Sequence, residues 1–470
     1  MIFDRMEKVR VTSDIKKVLP GTVFVDLTER KSSRDIYRAY ESGAELIFTA
    51  HNITDPELPV VKVGNPSQVY SKLLCKYYEY PQRDASLIAL GGSRDKNVTL
   101  NMLETIFNHI DNRDSSFRLD WYKARNGKYI KDAEALMGYL SNKVRSGLDT
   151  IPIAIEKNMS LTSFDSDLSF DCCILTNGYS RPEAEVLDNT VARLKTNHLL
   201  IINGDENELL KVAEDRKDVL VVTYGLTKKA CVTASTIDFA DTTSFNYCLQ
   251  RTMYTIKGRC IEPFEMPFKV NLLGNNNICN ALAAITCALY YDKDIEEVQK
   301  AMQSFEAAKR KFERVFEGKF KVVDDYCSTP VDLNETLEAI QILNYSRLLI
   351  VFSPGSGVSM EDHHENAEIL LNWAKVLGCK ELILSSGMEE VVIDASVQSK
   401  IIRLYRSELK KDEIPVRYYH LPQHAVENAL KRADYGDLIL VIGGEEMIPA
   451  EDMLKEKLLG GRLGENPVKH

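Results

Sequence analysis

The chain has 470 residues, about three times the size of a common single domain, so we expect two or three domains. Its hydrophobic content of 44% and charged content of 27% are typical of a globular protein with a large core. The net charge of -10 gives no basic footprint for nucleic acid or for an anionic membrane surface, whereas a small-molecule partner is not excluded.

The start of the chain and its apolar runs argue against export or membrane insertion. Residues 1–8 carry acidic side chains and no apolar segment, unlike a signal peptide. No run approaches the roughly 18 apolar residues that a transmembrane helix requires. The ten cysteines show no Cys-x-x-Cys pattern and mostly lie in apolar runs, which is typical of reduced core thiols. We therefore expect a cytoplasmic protein.

Apolar runs typical of buried strands recur in the first half of the chain, with amphipathic segments between them. The predicted strands are 22–27, 46–49, 86–90, 151–155, 171–175, 199–203 and 219–223. Continuous apolar runs separated by helical patterns indicate parallel sheets buried on both faces. Helices are predicted at 101–110 and 280–291. The sequence therefore predicts an α/β fold.

The pattern changes after residue 230. Short strands rich in Thr and Ser predict antiparallel hairpins at 232–239, 246–256 and 268–273. A second series of strands and helices begins near Lys319, with a helix at 332–343 after the break at Pro330. Its predicted strands are 320–323, 348–352, 381–384, 416–419 and 438–442.

These patterns predict three domains. They are a smaller N-terminal α/β domain (1–87), a central domain with a P-loop-like, mostly parallel sheet (88–315), and a Rossmann-like C-terminal α/β domain (316–470).

Residues 88–99, Ile-Ala-Leu-Gly-Gly-Ser-Arg-Asp-Lys-Asn-Val-Thr, stand where a phosphate-binding loop would follow a strand. In such a loop, glycines let backbone N–H groups converge on the phosphates, and a lysine adds positive charge. Gly92, Ser93 and Lys96 fit this pattern.

Two neighbouring residues do not fit it. Asp95 replaces the glycine before the lysine, where its carboxylate would repel phosphate, and Asn97 replaces the hydroxyl that would hold magnesium. Two interpretations therefore stay open. The segment is either a nucleotide loop with altered chemistry or a strand-to-helix turn whose Lys96 is solvated.

Several short motifs follow one another in a fixed order. They are Thr-Ser-Asp-Ile-Lys-Lys-Val-Leu-Pro-Gly-Thr-Val-Phe-Val (12–25), Ala-Tyr-Glu-Ser-Gly-Ala (39–44), the loop at 88–99, Leu-Thr-Asn (175–177), Asn-Gly-Asp (203–205), Leu-Gly-Asn-Asn-Asn-Ile-Cys-Asn-Ala-Leu-Ala-Ala (273–284), Phe-Glu-Arg-Val (312–315) and Val-Asp-Asp-Tyr-Cys-Ser-Thr-Pro (323–330). In this order they resemble the Mur ligase family, and within it the MurE type, which adds the third residue to UDP-N-acetylmuramoyl-dipeptide. Residues 273–284 are the most specific match.

The resemblance implies an ATP-dependent amide-bond ligase of peptidoglycan biosynthesis. Such an enzyme joins an amino acid to a UDP-N-acetylmuramoyl-peptide, or a similar carboxylate, through an acyl phosphate. ATP and Mg²⁺ are the implied cofactors, and the UDP-sugar peptide and the amino acid are the implied small-molecule substrates. Another Mur ligase-type protein is a further candidate partner.

The resemblance also assigns site residues. Lys96 and Glu156 match catalytic positions, and Glu156 matches a metal ligand at the carboxyl end of the strand 151–155, where ligands of α/β sheets commonly bind. Matches to nucleotide-contacting positions are Gly92, Ser93, Lys96, Asn277 and Asp325.

Asn277 resembles an adenine contact and Asp325 a ribose contact. For Asn277 and Asn280, an N-cap and first-turn pair of a helix that begins near residue 280 is an equal alternative.

Several other positions depart from the family. Val191 stands where the family has a carbamylated lysine, and Lys195 is either its substitute one helical turn away or a solvated helix-end lysine. Lys311 stands where an arginine is usual, and the adjacent Arg310 is a candidate to compensate.

Further chemical groups of the family are replaced. Histidines are lost at Ser160 and Ser328, and Glu390 stands where the family has the arginine that clamps the carboxylate of the incoming amino acid. These losses favour the alternative of a catalytically degenerate relative that acts as a ligand-binding or scaffold protein. A nucleotide-regulated binding module is a third interpretation.

Overall fold

The structure, a computed structural model, describes residues 9–28, 34–92, 96–110, 133–155, 168–176, 181–214, 216–227, 229–239, 242–272, 274–305, 310, 312–327, 330–341, 343–354, 359–379, 381–385, 395–410, 414–450 and 453–454. The chain forms two compact units. The first comprises 1–270 and 275–305, and the second comprises 271–274 and 306–470. The predicted domain boundaries near residues 87 and 316 stay predictions.

The first unit holds strands and helices in an alternating order that becomes all-strand near its end. Its strands are β1 (Val11–Thr12), β2 (Thr22–Val25), β3 (Ala44–Thr49), β4 (Val60–Lys62), β5 (Ser86–Gly91), β6 (Thr150–Ala154), β7 (Phe170–Leu175), β8 (Leu194–Asn203), β9 (Leu220–Tyr224), β10 (Val232–Phe239), β11 (Thr243–Leu249), β12 (Met253–Tyr254), β13 (Cys260–Ile261) and β14 (Phe264–Val270). Its helices are α1 (Arg34–Glu41), α2 (Pro66–Tyr77), α3 (Lys96–Ile110), α4 (Ala133–Arg145), α5 (Arg181–Ala192), α6 (Asn207–Glu214), α7 (Asn275–Tyr290) and α8 (Ile295–Gln303).

Two sheets make up most of this unit. A four-stranded parallel sheet has the order β1-β2-β3-β4, and an eight-stranded sheet has the order β14-β11-β10-β9-β8-β7-β5-β6. The larger sheet is parallel from β6 to β10, and β11 and β14 extend it in antiparallel fashion. Val25 of the small sheet and Leu87 of the large sheet belong to one hydrophobic core, which joins the two.

Helix α7 is the central helix of the first unit. Every residue from Ile278 to Tyr290 is buried. A helix that is buried all round packs inside a core rather than on its surface. It lies against α3 and against strands β8 and β10 of the large sheet. The first turn of α7 is therefore placed by packing on several sides.

The second unit is a single α/β sheet with helices on both faces. Its strands are β15 (Glu313–Glu317), β16 (Lys321–Tyr326), β17 (Leu348–Ser353), β18 (Glu381–Ser385), β19 (Val416–Tyr419) and β20 (Leu438–Gly443), in the order β15-β16-β20-β17-β18-β19. Its helices are α9 (Pro330–Ile340), α10 (Met360–Val376), α11 (Ala395–Lys410) and α12 (Pro422–Arg432).

Helices cover both faces of this sheet because parallel strands are joined by crossover helices. All strand pairs except β15–β16 are parallel. One hydrophobic cluster joins one sheet face to α9, α10 and α11, and a second joins the other face to α12. This is the doubly wound arrangement whose ligands bind outside the carboxyl ends of the strands.

The predicted α/β fold with a mostly parallel central sheet is confirmed, and the predicted antiparallel hairpins after residue 230 occur as β10, β11 and β14. Helix starts were wrong by up to five residues. Helix α3 begins at Lys96 rather than 101, and α7 at Asn275 rather than 280, because polar first turns show no apolar period. Helix α9 begins at Pro330 itself, since proline suits a first helical turn.

The ten cysteines are free thiols, most of them in the core. In the described part of the chain, no helix is long and apolar enough to cross a membrane.

One titratable side chain of the second unit is buried between helices. His363 of α10 is 1% exposed, and its Nδ1 lies 3.3 Å from the hydroxyl of Tyr405 on α11. Its Nε2 has no hydrogen-bond partner within the described residues. Burial lowers the pKa of His363, because the protonated ring would lose its hydration, and the neighbouring Asp362 opposes this shift only in part.

We predict that the second unit loses stability on mild acidification because of His363. Below about pH 6.5 the unfolded chain binds a proton at this residue that the folded chain does not bind. The free energy of unfolding should therefore fall between about pH 7.5 and about pH 5.5, and His363→Gln should flatten this fall. Urea unfolding followed by Trp373 fluorescence in a Trp121→Phe background reports on α10 alone, since the chain has two tryptophans.

His424→Gln is the matched control, because His424 is exposed on α12 of the same unit. It should leave the pH dependence of unfolding unchanged. Equal pH slopes in the parent and in His363→Gln would contradict the assignment.

Candidate functional site

The carboxyl end of β5 is fixed by its two neighbouring strands. The carbonyl of Leu90 accepts from Ile155 N at 2.8 Å, and the carbonyl of Gly91 accepts from Thr176 N at 2.9 Å and from Thr176 Oγ1 at 3.2 Å. A Cβ on Gly91 would overlap the end of the Leu187 side chain, which would have to shift. The chain then turns at Gly92, whose φ of 136° is a glycine conformation.

Lys96 is the first residue of α3 and is 8% exposed. Its Nζ donates to the carbonyl oxygen of Gly92 at 3.1 Å. The interpretation of Lys96 as a solvated lysine is therefore wrong. The structure brings Gly92 and Lys96 together at the carboxyl end of a central strand, where the amino end of α3 also favours anions.

A polar contact joins α3 to α7. Thr99 Oγ1 donates to Asn280 Oδ1 at 3.1 Å, and Asn280 Nδ2 lies 3.5 Å from Asn277 Oδ1. Because α7 begins at Asn275, neither asparagine is an N-cap, which corrects that alternative. Asn277 instead lies in the first turn of a helix that is bonded to the helix of Lys96.

Two predicted site residues, Ser93 and Glu156, lie outside the described residues. Glu156 follows Ile155, which closes on the end of β5 through the bond to Leu90. Among the described residues, no group of three or more His, Cys, Asp or Glu side chains could hold a metal ion. The metal role of Glu156 stays a prediction.

The expectation that Lys195 lies on a helix is corrected. Val191 is 1% exposed and packs in the core of the first unit. Lys195 is not on a helix but on β8, where its Nζ pairs with Asp171 Oδ1 at 2.6 Å. Asp171 and Lys195 lie near the amino ends of β7 and β8, whereas the loop at Gly92 follows the carboxyl end of β5. Lys195 therefore cannot replace a lysine at the loop.

Arg310 belongs to the structure of the second unit. Its side chain is 2% exposed, and Nε lies 3.1 Å from Asp324 Oδ2. Its two terminal nitrogens donate to the carbonyls of Gly444 and Gly443 at 2.6 and 3.0 Å. These bonds tie β16 to the end of β20, so the expectation that Arg310 compensates at a ligand contact is corrected.

Asp325 is also buried in this network. Its Oδ1 accepts from Phe312 N at 2.8 Å, and its Oδ2 accepts from the hydroxyl of Thr336 on α9. The thiol of Cys327 also donates to Oδ2, at 3.9 Å. The ribose role of Asp325 stays a prediction beside this structural role.

Sequence reasoning missed Thr99 and Thr176 as residues that shape this region. Thr99 follows Lys96 by three residues, which on a helix places the two on one face. That spacing was a usable signal once the helix start was known. Thr176 directly follows a buried strand but gives no signal of its partner, Gly91, which lies 85 residues earlier.

Comparisons with known proteins show what the chain is similar to. Residues 189–288 match the Mur ligase middle domain. The UDP-N-acetylmuramoyl-L-alanyl-D-glutamate–2,6-diaminopimelate ligase of Oceanobacillus iheyensis is 24% identical over 410 residues, 78% of each chain. The enzyme of the same name from Listeria monocytogenes is 20% identical over 491 residues, covering 97% of this chain and 95% of its own.

A solved structure shares the fold over nearly the whole length. The MurF ligase of Thermotoga maritima, solved in complex with ADP, superposes with a TM-score of 0.63 at 14% identity. The match covers 97% of this chain and 99% of that chain.

We predict that Arg310→Met destabilises the second unit by about 3–5 kcal/mol, because it leaves Asp324 as a buried, unpaired charge. The measurement is denaturant unfolding followed by Trp373 in the Trp121→Phe background. Arg314→Met is the control, since Arg314 is 22% exposed in its pair with Glu317 and should cost under about 1 kcal/mol. Similar losses in the two variants would show that the Arg310 network is not structural.

Proposed function

The chain is a Mur ligase relative that resembles the MurE type, and we propose that it is an ATP-dependent ligase. It would join an amino acid to a UDP-N-acetylmuramoyl-peptide or a similar carboxylate in the cytoplasm. The names of the two diaminopimelate ligases and the ADP complex of the MurF ligase support this assignment. The observation that carries it is the burial of Lys96 against Gly92 at the start of α3.

The residues around Lys96 fit the triphosphate of a nucleotide. The ammonium group donates to a neutral backbone carbonyl, and a phosphate oxygen is a stronger acceptor for the same donor. The amino end of α3 adds the positive end of its helix dipole. Lys96 would therefore exchange its bond to Gly92 for one to a phosphate.

The remaining assignments come from the family resemblance. Asn277 would contact the base and Ser93 the phosphates, while Glu156 would help to hold Mg²⁺. Magnesium commonly binds through one or two carboxylates together with substrate phosphates, so one glutamate is a sufficient protein ligand. ATP supplies the phosphoryl group that activates the substrate carboxylate as an acyl phosphate.

One observation favours a second candidate function, a degenerate relative that binds a nucleotide or a partner without efficient ligation. Val191 is a core residue, and Lys195 is paired with Asp171 away from the loop. Neither residue can supply a carbamylated lysine near the phosphates. With Asp95 and Asn97 also altered, the reaction would lack several groups that stabilise the transferring phosphoryl group. Such a protein could serve another Mur ligase as a scaffold.

We predict that the protein binds ATP with Mg²⁺ and that Lys96→Met weakens binding at least about tenfold, the effect of losing one charged hydrogen bond. Titration calorimetry gives the affinity directly. Lys72→Met is the matched control, because Lys72 is exposed on α2 of the same unit. Absence of ATP binding at millimolar nucleotide would reject the ligase and the nucleotide-binding alternative together.

Phosphate release separates the two candidates. A ligase should release phosphate from ATP only when a UDP-N-acetylmuramoyl-peptide and an amino acid are both present. The variant Asp95→Gly with Asn97→Thr should raise this rate, because it restores the loop chemistry of a phosphate site. ATP binding without release, in the parent and in the variant, would leave the degenerate binding protein as the function.

A further inference from the structure

The bond between Thr99 and Asn280 lies deep in the first unit. Thr99 is 0% exposed and Asn280 is 1% exposed, and their side chains are 181 residues apart in sequence. The bond joins the first turn of α3 to α7 near its beginning. Asn280 then continues to Asn277, one turn nearer the helix start.

Its surroundings are apolar. Val98, Met102 and Leu103 of α3 are buried beside Thr99, and the residues of α7 that follow Asn280 are buried without a gap. A buried hydroxyl and amide lose hydration that an apolar pair would not lose, so the net gain in stability is small. What a buried polar pair adds is a fixed register between two helices, because sliding either helix breaks the bond.

The register has a defined geometry. Lys96 precedes Thr99 by three residues on α3, and Asn277 precedes Asn280 by three residues on α7. Residues three apart on a helix share a face. The bond joins these two pairs at Thr99 and Asn280. It therefore constrains the distance between the other residue of each pair, Lys96 and Asn277.

We infer that Thr99 and Asn280 are positioning residues that match the spacing of Lys96 and Asn277 to the phosphate and base ends of one nucleotide. This inference rests on the proposed function, in which those two residues contact ATP. The bridge itself need not touch the nucleotide. It acts on the base end through Asn277, while Lys96 is also held by its own bond to Gly92.

The test compares two ligands on the full-length protein. Thr99→Val keeps the volume and removes the hydroxyl. It should weaken ATP binding about tenfold while leaving the affinity for inorganic tripolyphosphate, which has no base, unchanged. Thr99→Ser keeps the hydroxyl and should bind ATP like the parent. An equal loss for both ligands, or no loss for ATP, would overturn the inference.

Thr286→Val is the matched control for a purely structural effect. Thr286 is also 0% exposed on α7, and its hydroxyl bonds Tyr247 at 2.9 Å and the carbonyl of Leu282 at 2.7 Å. This variant should lower the melting temperature about as much as Thr99→Val does, but it should leave the affinity for ATP unchanged. If Thr286→Val lost as much ATP affinity as Thr99→Val, the bond between Thr99 and Asn280 would have only a general packing role.

A double-mutant cycle with Asn277→Ala tests the route of the effect. If Thr99 acts through Asn277, Thr99→Val should add no further loss of ATP affinity in the Asn277→Ala protein. Additive losses would overturn the route. Failure of the parent to bind ATP would reject the proposed function as well, whereas ATP binding that is indifferent to Thr99 rejects only the positioning role.

Discussion

Burial of the parallel strands on both faces is the constraint on which the rest of the structure depends. Strands β7, β17 and β20 are buried along their whole length, so polar side chains have room only at the strand ends. There each buried polar group needs a partner, because an unpaired one costs more than the bond gains. Thr176 bonds the end of β5, and Arg310 bonds the end of β20. The ends of the sheets are thus where chemistry can be placed.

The sequence was sufficient for what depends on local pattern. Strand β10 spans Val232–Phe239 and β19 spans Val416–Tyr419, the predicted limits, because alternation and apolar runs report burial directly. Polar helix starts carry no such signal, so α3 and α7 were predicted too short. The error mattered, since it placed Lys96 in a loop and left Thr99 unnoticed. A separate error at a helix end made Lys195 a helical residue, although β8 begins one residue before it.

The candidate site was harder to predict because its contacts join distant parts of the chain. Gly92 and Lys96 are close in sequence, and their nearness was predicted. The partner of Thr99 lies 181 residues away, and the carbonyl bound by Arg310 lies 134 residues away. No local pattern encodes such pairs, since they arise only when the sheet order and the crossovers bring the segments together. Family resemblance located Asn277 but could not show what holds it.

Arg310 has a consequence for how this chain can change over generations. It occupies a left-handed backbone conformation, with φ of 57°, that favours glycine, yet its side chain neutralises Asp324. Replacing Arg310 by glycine would relieve the backbone strain but leave the Asp324 carboxylate buried without its charge partner. Replacing Asp324 first would leave the Arg310 guanidinium buried without its own. Either single step passes through a destabilised protein, so we expect the two residues to change together or not at all. The pair should therefore persist for the stability of the second unit, whatever the chain binds.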